Sequence, residues 1–190
     1  MPSILLTAPA GEPLSLAEAK AFLRVEHNDD DATISALITG ARIQVEALTR
    51  RALLTQTWRL TRDVWPASGV LPLLPAPLRA LVAVRVHDAA GNAQAVDPQS
   101  LGLDKVAAPA VLTFERGALP PPGRRAGGIE IDIEAGYGAA ADVPEPLRQA
   151  VRLLLSHWYE NRALIAASGE VASVPASALS LIAPFRVVSL

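Results

Sequence analysis

The sequence predicts an α+β protein: a helical bundle with an inserted antiparallel β region and an extended C-terminal arm. Segments 14–54 and 144–166 repeat their apolar residues at helical spacing. From about 55 to 138, apolar and polar residues alternate with a period of two, and prolines and glycines divide the pattern into short pieces. Residues 167–190 fit neither pattern and form the predicted arm. We expect one domain spanning residues 1–190.

Each predicted helix has a recognisable start. Ser15 and Glu18 have the spacing of a capping box, in which each side chain satisfies a free backbone N–H near the other residue. A second helix is predicted from Asp31 to Leu53, because aspartates favour a helix start and apolar residues then recur every three or four positions. Pro146 suits the first turn of the third helix.

The β region is predicted from alternating segments. Val82, Val84 and Val86 alternate with Ala83, Arg85 and His87 in LVAVRVHD, and GGIEIDIEAGYG alternates between glycines. TWRLTRDVW and AVLTFERG are predicted strands, and the segment 88–92 (DAAGN) is a predicted hairpin turn. The many prolines favour short antiparallel strands over a parallel sheet.

Composition restricts the classes of protein. The chain has 190 residues, no cysteine and a formal net charge of -2. The lack of cysteine excludes disulfides and thiolate metal sites, and the low charge argues against a general nucleic-acid coat. The apolar run Ile4-Leu5-Leu6 is too short for a signal peptide, and no stretch is long enough for a membrane span, so we expect no membrane partner. The 51% hydrophobic content suggests apolar surface covered by other subunits.

The C-terminus is unusually apolar for a chain end, since chain ends are usually polar and frayed. Its large apolar residues are Leu179, Leu181, Ile182, Phe185, Val187, Val188 and Leu190. Two interpretations remain open. The tail packs on its own domain, or it docks on another chain by strand addition or as a hydrophobic plug.

Two charged groups have both a structural and a functional interpretation. Glu130, Asp132 and Glu134 share one strand face and could collect a divalent cation, but the alternating isoleucines explain them as the solvated face of an amphipathic strand. Arg124 and Arg125 lie in a glycine- and proline-rich loop, where they could contact DNA phosphate. This leaves a DNA-packaging accessory protein as an alternative function.

The segment 148–166 contains the side chains most typical of catalysis. His157 and Glu160 lie one turn apart, which leaves a small hydrolase as an alternative function. A helical zinc site would need a second histidine at position 161, which is Asn161. No G-x-S-x-G, phosphate-loop or dinucleotide motif occurs. We therefore expect a polar helix edge here, with no catalytic residue, cofactor or metal site.

Three segments together resemble the head-to-tail connector, or adaptor, family of long-tailed phages and phage-like gene transfer agents. They are L-x-x-A-K-x-x-L-R-V with its aspartate run, G-Y-G…V-P-x-x-L-R-Q-A-V, and the closing L-I-x-P-F-R. The resemblance implies a non-catalytic ring, commonly of twelve subunits, that joins the portal to a tail-side connector or tail terminator. DNA would pass through the ring without sequence-specific binding. The protein would be cytoplasmic during assembly and then lie at the capsid–tail junction.

The resemblance also assigns roles to residues. The C-terminal segment of such proteins reaches toward the portal, which would place Leu179 to Leu190 in that interface. The acidic strand from Glu130 to Glu134 would face the DNA channel, where a negative wall would let DNA slide. We expect these two surfaces to be the functional ones.

Overall fold

A computed structural model describes residues 3–161 and 174–188 of the chain. It contains α-helices and antiparallel sheets, which confirms the predicted α+β class. The chain divides into two compact units. The β unit comprises residues 1–10, 55–137 and 187–190, and the helical unit comprises residues 11–54 and 138–186. The expectation of a single domain stays a prediction.

The helical unit has four described helices. They are α1 (Leu16–Leu23), α2 (Asp31–Thr49), α3 (Glu145–Glu160) and α4 (Ala176–Ile182). Helix α3 packs against the other three helices, and α2 also contacts α1 and α4. The fully buried side chains at their centre include Ile34, Val45, Leu147, Val151 and Leu154. These positions recur at helical spacing, so the apolar stripes read from the sequence form the core of this unit.

The start of α1 is confirmed and the end of α2 is corrected. Ser15 accepts a hydrogen bond from the Glu18 N–H at 3.2 Å, and the Glu18 carboxylate accepts one from the Ser15 N–H at 2.8 Å. Helix α2 ends at Thr49 and does not reach Leu53. Arg50 adopts a left-handed φ of 58° there, and the Leu53 N–H donates to the Glu46 carboxylate at 2.8 Å, which turns the chain away from the helix axis.

The C-terminal segment differs from an extended arm over the residues that the structure describes. Residues 176–182 form α4, and a 3₁₀ turn follows at Ala183–Phe185. The reason is apolar burial: Ala178 and Ile182, one helical turn apart, are buried in the helical unit, where α4 packs on α3. Residues 162–173 and 189–190 lie outside the described part of the chain.

The β unit has eight described strands. They are β1 (Ser3–Thr7), β2 (Gln56–Arg62), β3 (Val70–Leu73), β4 (Leu78–His87), β5 (Ala93–Val96), β6 (Gly102–Asp104), β7 (Ala110–Thr113) and β8 (Ile129–Ala135). A five-stranded sheet has the order β1-β2-β8-β4-β5, a three-stranded sheet has the order β3-β7-β6, and all pairs are antiparallel. The prediction of short antiparallel strands is therefore confirmed.

The alternation in β8 is confirmed, and that in β4 is interrupted. Ile129, Ile131 and Ile133 are fully buried, as the period of two requires. In β4, Val84 and Val86 are buried, whereas Val82 is exposed. The pairing of β4 with β8 shifts between residues 81 and 83, and this irregularity turns the Val82 side chain out of the buried row.

Candidate functional site

The predicted portal-binding residues divide into two groups. Leu179 is 43% exposed and Val188 is 76% exposed, so both are open to a partner. Ile182 and Val187 are buried, and Leu181 and Phe185 are half-buried. Leu190 lies outside the described residues. The structure therefore leaves only part of this set accessible.

A hydrogen bond ties the 3₁₀ turn at Ala183–Phe185 to the residues that follow α2 in the helical unit. The Arg51 guanidinium donates through Nε to the Phe185 carbonyl at 2.6 Å. Next to this contact lies a depression of about 350 Å³. It is lined by Leu48, Leu179, Ser180, Ile182, Ala183 and Arg186. The exposed face of α4 thus borders an apolar depression, which is a candidate docking surface.

The acidic residues of β8 are paired with arginines from the two adjacent strands. The Arg59 guanidinium on β2 binds both carboxylate oxygens of Asp132, at 2.7 and 3.0 Å. Arg85 on β4 donates to Asp132 at 2.7 Å. Ala83 is the residue opposite Asp132 on β4, and because it is small, the Arg85 side chain can reach Asp132 diagonally.

The other two carboxylates of this row are also paired. Glu130 lies 3.2 Å from Arg59 and 3.7 Å from Arg85, and its Oε1 is 3.4 Å from His87 Nε2. Glu134 binds Arg79 at 3.0 Å. Three carboxylates therefore face three guanidinium groups. The channel-facing role of this row stays a prediction, but its premise of a bare acidic strand does not hold, because each charge is neutralised locally.

Burial and hydrogen bonding act on Asp132 in opposite directions. Only 4% of the residue is exposed, although its face of the sheet is the polar one. Burial raises the pKa of Asp132, but the hydrogen bonds from Arg59 and Arg85 outweigh burial and hold the pKa below its usual value of 3.8. The hydrogen bond to Asp132 in turn raises the pKa of Arg59. The carboxylate is thus stabilised in its ionised form.

Arg124 and Arg125 lie in an exposed loop that is tied to the end of the large sheet. The Gly123 N–H donates to the His87 carbonyl at 2.9 Å, and the Gly127 N–H donates to the Asp63 carboxylate at 2.7 Å. Among the described residues, neither arginine has an ion-pair partner. The prediction of a DNA contact at this loop stays a prediction.

His157 and Glu160 do not contact each other in the structure. His157 Nδ1 lies 3.4 Å from the Asn161 amide nitrogen, and Glu160 accepts a hydrogen bond from the Ser156 hydroxyl at 3.0 Å. The neighbouring Trp158 packs against Gly40 of α2. Over its described residues 148–161, this segment makes packing contacts and local hydrogen bonds along a helix edge, and the expectation that it holds no catalytic residue stays a prediction.

Within residues 3–161 and 174–188, no group of three or more histidine, cysteine or acidic side chains is arranged to hold a metal ion. None of the helices described there combines the length and hydropathy needed to cross a bilayer.

The sequence analysis missed one exposed surface. Strand β1 is an edge of the five-stranded sheet, and all of its residues are exposed, including Ile4, Leu5 and Leu6. The signal was present as three consecutive aliphatic residues followed by a threonine, which is typical of a strand.

Comparisons with known proteins agree on one family. Residues 13–89 match the family model described as phage gp6-like head-tail connector protein. A chain in a structure titled as the neck of a native GTA particle, computed with C12 symmetry, is 30% identical over 100% of this chain and 97% of that chain, with a TM-score of 0.78. This chain belongs to the head-tail connector family. It is therefore a structural connector protein of a phage-like particle.

Two further solved structures give the same result. A chain in the neck of an empty GTA particle, computed with C6 symmetry, is 28% identical with a TM-score of 0.85. A chain in the virion of a native gene transfer agent particle is also 28% identical, with a TM-score of 0.82. Both alignments cover 100% of this connector and 97% of the other chain. No curated protein matches the sequence significantly.

Proposed function

We propose that this connector forms a ring in the neck of a phage-like particle, with the portal on one side and a tail-side connector or tail terminator on the other. The ring continues the channel through which DNA passes. Copies are made in the cytoplasm and join the particle at the capsid–tail junction. The observation that carries this proposal is the likeness, over the full length of the chain, to chains in neck structures computed with C6 and C12 symmetry.

The exposed apolar side chains support assembly with other subunits. Ile4, Leu5 and Leu6 are exposed on an edge strand, Ile43 is exposed on α2, and Leu179 is exposed on α4. A ring subunit must cover apolar surface on two flanks and at one end, because it touches two neighbours and at least one other protein. Apolar exposure in both units fits that requirement.

The charge distribution supports a conduit that does not grip DNA. The net charge is -2, and Arg59, Arg79 and Arg85 of the large sheet are paired with carboxylates of the same sheet. Tight duplex binding needs a concentrated basic face, which this sheet does not provide. We assign no catalytic role, because the family is one of structural connectors. His157 and Glu160 lie near Asn161 and Ser156 of their own helix and do not contact each other.

We assign the portal contact to the accessible members of the predicted set, which are Leu179, beside the depression at α4 in the helical unit, and Val188 in the β unit. The buried Ile182 contributes by holding α4 in the helical unit. Deleting residues 179–190 is a poor test of this assignment, because it would remove core side chains together with the proposed interface.

The test uses particles produced from a strain that lacks the connector gene and carries it on a plasmid. The variant Leu179→Glu with Val188→Glu should keep its far-UV circular dichroism but yield heads without tails. Val106→Glu is the matched control, since Val106 is 96% exposed in the β unit, and it should yield tailed particles. Normal tails on the double variant would refute the portal assignment. Tailed particles from the strain without any connector would refute the proposed function itself.

A further inference from the structure

The five-stranded sheet of the β unit ends in two open edges, β1 (Ser3–Thr7) on one side and β5 (Ala93–Val96) on the other. Every residue of β1 is exposed, and so are the first three residues of β5. Among the residues that the structure describes, β1 pairs only with β2, and β5 pairs only with β4. The outer backbone N–H and C=O groups of both strands are therefore available to another strand.

Neither of these strands contains the charge or the proline that usually prevents an open edge from pairing with other strands. The three-stranded sheet of the same unit has both, with Pro72 in its edge strand β3 and Asp104 in its edge strand β6. In the five-stranded sheet, the charged residues lie on the three central strands, whereas β1 reads SILLT and β5 reads AQAV. Asp97 follows β5 but caps the next turn, where it accepts a hydrogen bond from the Gln99 N–H at 2.9 Å. The large sheet is thus suited to extension on both sides.

The strand pairing fixes which backbone groups of β5 point outward. The His87 N–H donates to the Gly128 carbonyl at 2.7 Å, and the His87 C=O accepts from the Gly123 N–H at 2.9 Å, so both groups point away from β5. Ala93 lies opposite His87. In an antiparallel pair, opposite residues point their backbone groups either toward each other or away from each other. Ala93, and by alternation Ala95, therefore direct their N–H and C=O groups to the open side.

The same alternation assigns the outward backbone groups of β1. Because Gly128 points toward β4, the residues at odd positions of β8 point toward β2, and the even positions of β2 point back toward β8. Arg59 therefore points toward β1 and pairs with Ile4, which lies opposite. Ser3 and Leu5, on either side of Ile4, direct their N–H and C=O groups to the open side. The irregularity in the pairing of β1 lies beyond Leu5 and leaves this stretch regular.

We infer that β5 of one copy pairs in parallel with β1 of the next copy, so that the large sheets join edge to edge around the ring. The inference rests on the proposed ring, because a cyclic assembly joins neighbours through two different surfaces of the same chain. The sheet has five strands and all its pairs are antiparallel, so β1 and β5 run in the same direction. Rotation about the ring axis keeps the direction of each strand along that axis, which makes the junction parallel.

The two edges match in the faces of their side chains. In a parallel pair, a residue whose backbone groups point to the junction lies opposite one whose groups point away. Leu5 then lies opposite Gln94 or Val96, which share the face of the buried valines of β4. Leu5 lies on that same face, because its row across the sheet continues through Trp58 to the buried Ile133. The junction therefore keeps the apolar face continuous from copy to copy.

A contact of β1 with β1 of another copy would also cover its aliphatic side chains. It would be a two-fold contact, however, which yields pairs of subunits and leaves β5 of each copy open. A junction of β5 with β1 uses both edges and continues from subunit to subunit.

A proline substitution tests the hydrogen bonds of the junction in particles made by the complemented strain. Ala95→Pro removes an outward N–H and no bond to β4, and edge strands tolerate proline where the N–H faces away from the sheet. It should lower the connector content per particle about fivefold, because every junction loses one hydrogen bond.

Ala95→Val is the matched control, since it adds a side chain of similar size, keeps the N–H and should assemble normally. Circular dichroism and the urea midpoint of each purified variant verify folding. Normal connector content with Ala95→Pro, or an equal loss with Ala95→Val, would overturn the strand pairing.

Cross-linking determines which edge meets which. In the registers that the backbone allows, Ile4 lies opposite Ala95 or Ala93. The chain has no cysteine, so Ile4→Cys with Ala95→Cys, or with Ala93→Cys, introduces the only two thiols. Within one copy these positions lie roughly 19 Å apart across the five strands, beyond the reach of a short bis-maleimide. Between copies they should be neighbours, so one of the two variants should yield a ladder of multimers in particles.

Single-cysteine variants complete the cross-linking test. Ile4→Cys alone and Ala95→Cys alone should stay monomeric. A dimer from Ile4→Cys alone would show that β1 pairs with itself. Monomers alone from both double variants would show that β5 is not the neighbour of β1, and either result overturns the inference.

The outcomes separate this inference from the proposed function. Ala95→Pro particles with a complete ring and tails would reject the strand junction and leave the neck role standing. Wild-type particles without this chain in the neck would reject the proposed function and, with it, the ring on which the junction depends.

Discussion

Among the residues that the structure describes, the helical unit and the β unit each bury one charged residue, and the two buried charges have opposite sign. In the helical unit, Arg42 is 7% exposed and binds Glu12 at 2.7 Å and Glu46 at 2.8 Å. In the β unit, Asp132 is 4% exposed and binds Arg59 and Arg85. Each unit therefore surrounds a buried ion with two counter-ions, which is what burial of a charge requires.

The two clusters differ in what they connect and in how they respond to acid. The Arg42 cluster joins segments far apart in sequence, because Glu12 precedes α1 and Glu46 also accepts the Leu53 N–H beyond α2. Burial lowers the pKa of Arg42, but the hydrogen bond to Glu12 and the charge of Glu46 outweigh it and raise the pKa. A guanidinium does not titrate at accessible pH. In the β unit the buried ion is a carboxylate, so acid can neutralise the centre of that cluster.

The largest effect is expected from removing the buried cation of the helical unit. Arg42→Met leaves Glu12 and Glu46 without their partner and should cost about 3 kcal/mol of unfolding free energy. Urea denaturation followed by far-UV circular dichroism measures it. The control is Arg152→Met, which breaks a contact to the exposed Glu145 and should cost less than about 1 kcal/mol. Equal losses for the two variants would contradict the distinct role of Arg42.

A smaller loss is expected from removing the buried charge of the β unit. Asp132→Asn keeps the shape but leaves Arg59 and Arg85 close together without a counter-ion, and should cost about 2 kcal/mol. The cost is below that of Arg42→Met because both arginines are partly exposed, so water replaces some of the lost interaction. Glu134→Gln is the matched control at an exposed pair with Arg79. A loss for Asp132→Asn no larger than that of the control would be evidence against the cluster.

The pH dependence of the β unit should follow Asp132. Its pKa lies below the usual 3.8 in the folded protein, so its contribution is complete above 3.8 and is lost as the pH falls through the lowered pKa. The difference in urea midpoint between wild type and Asp132→Asn should therefore stay constant from about pH 7 to about pH 4 and close below that. If the difference in urea midpoint instead disappeared between neutral pH and pH 5, a group other than Asp132 would be responsible for it.

The helical unit was more predictable from sequence than the β unit, and the reason is locality. The capping box of Ser15 and Glu18 and the apolar spacing in α2 are decided within a few residues. The end of α2 was not predicted, because it depends on Glu46 accepting the Leu53 N–H, and no glycine marks it. The helical form of residues 176–185 depends on packing against α3, which the local sequence does not reveal.

In the β unit, the alternation of apolar and polar residues predicted strand β8 but not the strands that pair with it. The pairing of Asp132 with Arg59 and Arg85 follows from the order β2-β8-β4, which brings together residues far apart in the chain. From the sequence alone, β8 looks like an acidic strand. Only the strand order shows that arginines on β2 and β4 neutralise its carboxylates. The edge-on contact between the rings of Trp65 and Phe114, 5.1 Å apart at their centroids, was not predicted for the same reason, since the two residues come from separate segments.

The smallest loss of stability is expected from the capping box at the start of α1, where the exposed Glu18 carboxylate accepts a backbone hydrogen bond. The hydrogen bonds from the Ser15 N–H and hydroxyl lower the pKa of Glu18, although this side chain is largely exposed. Ser15→Ala should remove one half of the capping box and cost about 1 kcal/mol. Urea denaturation measures it, with Ser35→Ala on the exposed face of α2 as the control. Because the cap acts on local backbone groups and not through a buried charge, the loss should be the same at low and high salt. If the loss of unfolding free energy disappeared in high salt, Glu18 would stabilise the protein through its surface ion pair with Arg148 and not through the helix cap.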